Sequence, residues 1–361
     1  MKKFKVSNLT KPLILVLCFV VLAILRPNSF PTVSNLSNVL WSISVYGIMT
    51  SGTIFVFLLG GIDLSIGSLC GLCSVACVMT IRSMNYSTTG VICGILLALA
   101  VGIAAGAFHG IIITFFKVPA FLITFASSTA FLGLSMVLTN NKILSCMEPK
   151  LFVGISTYKI FGFPVPVYIM LVVAVISWFV LSKTTLGRQF YAVGGNPVAS
   201  RLSGINDTGV TILAYVLSGL TTAIGGIVLA SMTQQCMAST GSGYENYVIM
   251  SAVIGGISLL GGVGTVPGCV FGAILIGLLN NGLNLMSVPS TEHDLVKGIV
   301  IIASVAFDAL QHQDKAKNWF KQFKFLKKGK WPDEKDRCTF TFGSDCCWIL
   351  PPRGTACYWK W

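Results

Sequence analysis

The sequence predicts an all-α, polytopic transmembrane helical bundle of about ten spans, and three observations carry that expectation. Hydrophobic residues fill 54% of the 361 positions and charged residues 10%, with a mean hydropathy of +0.81, which leaves too little polar surface to cover a soluble globule. Apolar runs of bilayer-entering length recur along the chain. The charge lies at the ends: four Lys and no acid in residues 1–12, ten Lys/Arg against seven Asp/Glu in 13–310, and eleven basic against five acidic residues in 311–361. The net +13 is therefore mostly terminal. No nucleic-acid partner is expected, and the basic ends read as cytoplasmic anchors against anionic membrane lipid.

The apolar runs fall at about 13–25, 40–59, 62–81, 91–116, 118–138, 165–181, 210–231, 248–261, 263–280 and 295–308. Ahead of the first, Met1-Lys-Lys-Phe-Lys5 resembles the start of a signal peptide, but Arg26-Pro27-Asn28-Ser29-Phe30 offers no small-x-small cleavage triplet. A retained first span is expected. The runs 248–261 and 295–308 are shorter than the roughly 20 residues of a perpendicular span, and are expected to tilt, to extend into polar flanks or to enter part-way. Ten spans put both termini in the cytoplasm. They also put loop 182–209, with Lys183, Arg188 and Arg201 against Asp207, on that side, and 232–247, with Glu245 alone, on the other. The expected division is a transmembrane domain, 1–308, and a basic, Cys-containing, poorly ordered cytoplasmic tail, 309–361.

Twelve cysteines do not make a disulfide framework here. Eight (Cys18, Cys70, Cys73, Cys77, Cys93, Cys146, Cys236, Cys269) are scattered, most within apolar runs, where Cys packs as a small hydrophobe. Cys70, Cys73 and Cys77 share a helical face, yet His109, His293 and His312 are distant in sequence, so no metal is assigned. The tail cysteines Cys338, Cys346, Cys347 and Cys357 have poor tetrahedral spacing. Glycines at 94, 102, 106 and 110, at 255–256 and 261–262, and at 268, 272 and 277 read as faces for close helix packing. The chain has no P-loop, H-E-x-x-H, G-x-S-x-G or C-x-x-C with His, and no Arg ladder or TVGYG filter. ATPase, hydrolase, zinc, redox, voltage-sensor and potassium-channel chemistry lack their residues, and no catalytic residue is assigned.

Three stretches carry information. In Leu59-Gly-Gly-Ile-Asp63-Leu-Ser65-Ile-Gly-Ser68, Gly60-Gly61 can end one helix through a left-handed residue and Asp63 or Ser65 can cap the next, which is the first reading because the local arrangement already gives the carboxylate a partner; contact with a transported solute is the second. In the long loop Gly187 to Asn206, Asn196-Pro197 reads as an N-cap and first helical residue of a short helix that Gly204 stops, either a docking knob or an ordinary capped loop helix. In Gly241-Ser-Gly-Tyr-Glu245 through Gly264 and on to Asn280-Asn281-Gly282-Leu283-Asn284, glycine density permits a re-entrant segment. Asn280, Asn281 and Asn284 share a face that can bond a polar solute or a neighbouring helix.

Together, Gly60-Gly-Ile-Asp-Leu-Ser-Ile-Gly-Ser68, the Ala-Val-Gly-Gly-Asn core of 187–206, Gly255-Gly-Ile-Ser-Leu-Leu-Gly-Gly262 and Leu279-Asn-Asn-Gly-Leu-Asn284 resemble the permease subunits of bacterial ABC sugar importers of the ribose/xylose/galactoside type, within the branched-chain amino acid/sugar permease superfamily. The resemblance covers residues 1–308. It implies a type II-like permease fold in the bacterial inner membrane and a second permease copy. It also implies an ABC ATPase subunit that carries the ATP and Mg, since this chain binds no cofactor, and an extracytoplasmic solute-binding protein. The implied ATPase-coupling residues are Gly187, Arg188, Gly194, Gly195, Asn196, Ala199, Arg201 and Gly204; the path or gate candidates are Asp63, Ser65, Glu245, Asn280, Asn281 and Asn284. The implied cargo is a monosaccharide. The alternatives are an autoinducer, a nucleoside or a branched-chain amino acid, with a secondary transporter as the rival class. Two departures stand out: Asn246-Tyr247 follows Glu245 where the family usually has a second acid, and about fifty residues follow the last run, a lineage extension or a frameshifted end.

Overall fold

The computed structural model describes residues 7–302 except 149, 290, 291, 294, 297, 300 and 301. Most of the expected span 295–308, and the tail with its four cysteines, lie outside the described residues. In chain order the helices are α1 (Ser7–Leu25), α2 (Val33–Leu58), α3 (Ile66–Ser83), α4 (Thr88–Phe116), α5 (Ala120–Thr139), α6 (Lys150–Thr157), α7 (Val165–Lys183), α8 (Thr185–Gly195), α9 (Pro197–Leu202), α10 (Asp207–Thr233), α11 (Tyr244–Ile254) and α12 (Val266–Leu285). Four two-residue strands complete the described elements. β1 (Leu144–Ser145) pairs antiparallel with β4 (Gln235–Cys236), and β2 (Lys159–Ile160) with β3 (Phe163–Pro164).

Seven helices among the described residues are long and apolar enough to cross a membrane: α2, α3, α4, α5, α7, α10 and α12. The all-α polytopic expectation holds. Helix α1 adds a shorter apolar stretch, Leu15–Leu25. Run 248–261 is not a continuous span. Helix α11 stops at Ile254 because Gly256 takes φ 82° while its N–H and that of Ile257 close back on Val253 and Ala252. Eleven residues rise only about 16 Å, half of a hydrocarbon core of about 30 Å.

The glycine faces do what packing faces do. On α4, Gly102 lies against the backbone of Gly219 on α10, and Gly106 and Gly110 lie against Tyr215 and Ile212 of the same helix. Gly94 meets Cys77 on α3, Gly272 meets Ser251 on α11, and Gly277 meets Ile43 and Tyr46 on α2. The most enclosed helices are α2, α3 and α10; α4, α5 and α7 turn large apolar side chains outward, such as Phe115, Phe125 and Val175. Six of the eight cysteines outside the tail, all but Cys18 and Cys93, are buried thiols.

Two segments leave helical form beside the middle of α2. On α10, Gly225 packs on Val45 and Met49 while Gly226 packs on Cys70, so α3 begins level with the centre of α2 after the non-helical stretch 59–65. Residues 238–241 then run along the first turns of α3, where Gly71 faces the Thr240 carbonyl and Gly67 that of Gly241. Helix α11 starts from this level.

Candidate functional site

The site has three parts: a polar cavity, a buried carboxylate nest and a junction of glycines.

The cavity, of about 790 Å³, is lined by Asn38, Val39, Ser42 and Tyr46 of α2, by Ser242 to Tyr244 with Asn246 and Tyr247, by Gly277, Asn280, Asn281 and Asn284 of α12, and by His293 and Gly298. That volume lies within the range of small-molecule sites. Its described lining holds amides, hydroxyls, tyrosines and the His293 imidazole, and no Asp, Glu, Lys or Arg. Tyr46 and Tyr247 stack with centroids 5.2 Å apart, and Tyr244 leans on Tyr247 at 5.8 Å. Tyr46 also donates to the Ala273 carbonyl at 3.4 Å, which ties the aromatic wall to α12.

The three asparagines divide. Asn281 exchanges reciprocal amide bonds with Asn35, at 2.9 and 2.8 Å, and Asn35 also donates to the Phe30 carbonyl. Asn281 thus spends its amide on the start of α2. Asn280 and Asn284 line the cavity beside it. Glu245 sits between two lining residues but accepts from the Gly243 N–H and packs on Gly67 at the start of α3.

Asp63 and Ser65 do not line the cavity. Helix α2 ends in a Schellman arrangement: Gly60 takes φ 74°, its N–H reaches Phe57, and the Gly61 N–H reaches Val56. The chain then turns so that Asp63 Oδ1 accepts from the Ser65 N–H at 3.0 Å and the Ser65 hydroxyl at 2.6 Å, while Oδ2 accepts from Ser218 at 3.2 Å. Ser65 is the N-cap of α3 but makes no side-chain cap bond: its backbone already lies in the right-handed helical region, at φ −85° and ψ −12°, and its hydroxyl donates to Asp63. The expected cap is corrected accordingly: Asp63 braces the turn before the helix instead of capping the helix itself.

The third part corrects the long loop. Residues 185–195 are helical: α8 is capped by Thr184, whose hydroxyl accepts from the Gly187 N–H. Its buried side, Gly187, Phe190 and Val193, explains the helix; Phe190 packs 5.0 Å from Phe55 of α2. Helix α9 is as expected, with Asn196 accepting from Ala199 N–H at 3.0 Å, Pro197 first, and Gly204 at φ 80° beyond the end. Gly194 packs on the Leu58 carbonyl and on Gly262, Gly261 packs on Gly60, and Gly262 packs on Gly195. The Gly262 N–H donates to Leu58 at 2.8 Å and the Tyr191 hydroxyl to the Gly264 carbonyl at 2.7 Å. Three glycine pairs that are far apart in sequence thus meet at the end of α2. Beyond them α9 stands exposed, with Val198 and Leu202 uncovered. Arg188 and Ala199 are exposed as well, and Arg201 Nε pairs with Asp207 Oδ2 at 2.6 Å.

The comparisons fit this geometry. The family model described as branched-chain amino acid transport system / permease component matches residues 35–305. The chain belongs to that permease family. The ribose import permease protein RbsC of Escherichia coli (strain K12) is 37% identical over 297 residues, 81% of this chain and 91% of that one. The L-arabinose transport system permease protein AraH of the same strain is 33% identical over 307 residues, 83% and 89% of the two chains. The autoinducer 2 import system permease protein LsrC of Photorhabdus laumondii is 33% identical over 296 residues, 82% and 87%. No solved structure matches the chain. Membership makes the chain a multi-pass transport subunit, and its matched region contains the cavity up to Gly298, the nest and the junction.

What the motifs did not announce is the aromatic wall. Tyr46, Tyr244 and Tyr247 come from two segments, and Asn38 and Ser42 fall in the first half of a helix read only as apolar. The signal available was the Tyr-x-x-Tyr spacing of 244–247, one helical face beside the Gly-rich turn.

Proposed function

We propose that this permease passes an uncharged, hydroxyl-rich solute of monosaccharide size, of the ribose or arabinose kind carried by its relatives, through the cavity between α2, α11 and α12. The single observation that carries the reading is the described lining: amides, hydroxyls and the His293 imidazole that exchange hydrogen bonds with sugar hydroxyls, tyrosine rings that cover a sugar's apolar face, and no Asp, Glu, Lys or Arg among the described lining residues. A branched-chain amino acid needs a counter-charge for its ammonium and another for its carboxylate, because burying either charge without a partner is costly. That disfavours the amino-acid reading.

Energy comes from outside the chain in this reading. A partner ABC ATPase binds ATP and Mg and grips α8–α9 through the exposed Val198, Ala199, Arg201 and Leu202. Its motion enters the permease through Gly187 and the Gly194-Gly195 contact. Solute arrives from an extracytoplasmic binding protein, and two permease copies act together. The chain adds no covalent chemistry. The basic loop around Arg188 and Arg201 supports a cytoplasmic position for α8–α9 and hence for both termini. With 236–254 counted as one broken crossing and 295–308 as the last, the total is ten. The domain division at 308/309 belongs to the same reading.

The deciding experiment reconstitutes the chain with its co-purifying ATPase and binding protein in liposomes and measures ATP-dependent uptake of labelled pentoses, hexoses and leucine. Pentose or hexose uptake is expected. Leucine uptake, or uptake driven by an ion gradient without ATP, refutes the proposal.

A further inference from the structure

We propose that the interior beside Asp63 is a hydration site, holding one water molecule that joins His109 and Tyr215 to the Asp63 carboxylate. All three side chains are sealed from solvent, with exposures of 1%, 2% and 2%. His109 Nε2 and the Tyr215 hydroxyl are nonetheless without a protein hydrogen-bond partner among the described residues. Buried polar atoms are otherwise almost always satisfied, and a site with two or more of them is where an internal water resides.

The three groups lie close together in the fold. The Tyr215 hydroxyl lies against Gly61, where a methyl group would come within 2.7 Å of it, two residues before Asp63. The His109 ring meets the Tyr215 ring edge-on at 6.2 Å, held there because Gly106 and Gly110 let α4 settle on the α10 backbone. Phe131 of α5 closes the far side, 5.7 Å from the imidazole. Asp63 Oδ1 already accepts two bonds, whereas Oδ2 accepts only the 3.2 Å bond from Ser218. A carboxylate accepts about four, so capacity remains on Oδ2. The partners on offer are of both kinds: a carboxylate that accepts, a hydroxyl that donates or accepts, and a ring nitrogen. Water satisfies such a set because it donates twice and accepts twice. A metal ion does not, since no group of three His, Cys, Asp or Glu side chains among the described residues converges on a point.

The occupant lets a carboxylate remain in the turn between α2 and α3 with no cationic partner among the described residues. This inference stands apart from the solute reading, and its test does not depend on transport.

The test is thermal unfolding of the full-length chain in detergent. Tyr215→Phe removes only the hydroxyl. In a hydrated site the water loses a partner and the midpoint falls by several degrees; in a dry site the stranded hydroxyl is relieved and the midpoint rises or stays, which overturns the proposal. His109→Gln, which keeps a polar end, is expected to cost less than His109→Leu; the reverse order overturns it. X-ray radiolysis in isotope-labelled water supplies the independent reading. Tyr215 is expected to take up label despite its burial while Phe55, equally buried, does not; an unlabelled Tyr215 refutes the site. A midpoint that shifts with sodium or potassium concentration at constant ionic strength assigns a cation instead and also overturns it.

Discussion

Replacing Gly194 by Ala should uncouple the transporter, whereas the same change one residue on should do almost nothing. A methyl group at Gly194 would overlap the Leu58 carbonyl oxygen and stand 2.9 Å from the Gly262 nitrogen, so it would wedge apart the bond that the Gly262 N–H makes to Leu58. Overpacking of this kind costs about 1–3 kcal/mol. Stranding the Gly262 donor adds about 1–3 kcal/mol, and the better helix propensity of Ala returns at most about 1 kcal/mol. The net is about 1–6 kcal/mol against docking of α8 on the end of α2, or roughly fivefold to 20,000-fold in that equilibrium. Gly195 is the control. A methyl group there meets no atom within 4 Å, so Gly195→Ala should be neutral or slightly stabilising. The assay is uptake per ATP hydrolysed in liposomes holding permease and ATPase. Gly194→Ala should hydrolyse ATP with little uptake, and Gly195→Ala should match wild type. Equal, wild-type ratios for both would refute the junction as a transmission point.

Three further outcomes follow from the geometry. Arg201→Glu replaces the Arg201–Asp207 ion pair with two neighbouring carboxylates; an exposed pair is worth less than about 1 kcal/mol, so the midpoint should barely move while recovery of the ATPase in pull-down and uptake fall. Breaking the reciprocal Asn35–Asn281 amide pair by Ala at either position should cost about 1 kcal/mol, and the double variant should cost clearly less than the sum, read from a double-mutant cycle of unfolding. Burial pushes the Cys146 thiol, in the loop after α5, up to about 11, with Arg82 opposing the rise. Roughly a thousandth of Cys146 is therefore thiolate at pH 8, so its alkylation in the folded protein should be very slow and should accelerate about tenfold per pH unit.

Local structure was legible in the sequence where it depends on neighbours in the chain. Asn196-Pro197 and Gly204 bound α9, and Gly60 turns the chain after α2, because caps and left-handed residues act over three or four positions. Apolar runs located the spans for the same reason. The failures are tertiary. Composition cannot distinguish a tilted or extended span from a half-length helix and turn, so the sequence leaves all three open for 248–261, and only Gly256 shows where α11 ends. Helix α8 was hidden because its glycines resemble a loop; they are glycines because Gly187 and Gly194 lie against the backbones of α7 and α2. Asp63 read first as a helix cap and second as a solute ligand, and only the placement of Ser65 and Ser218 assigns its bonds. The Asn281–Asn35 pairing joins residues 246 positions apart, beyond any local pattern.

The meeting of three glycine pairs also determines how the protein deforms. Most contacts between helices run through side chains, whose torsions give under load and absorb a displacement before it travels far. At the end of α2 the bearing surfaces are carbonyl oxygens, amide nitrogens and α-carbons of Leu58, Gly60, Gly194, Gly195, Gly261 and Gly262, and none of these contacts is cushioned by a rotamer. A push on α8 would be handed undamped to two places at once: the end of α2, whose other half lines one side of the Asn- and Tyr-lined cavity, and the turn that joins α11 to α12, which line the other. Both walls of that cavity would then answer a single stroke in phase.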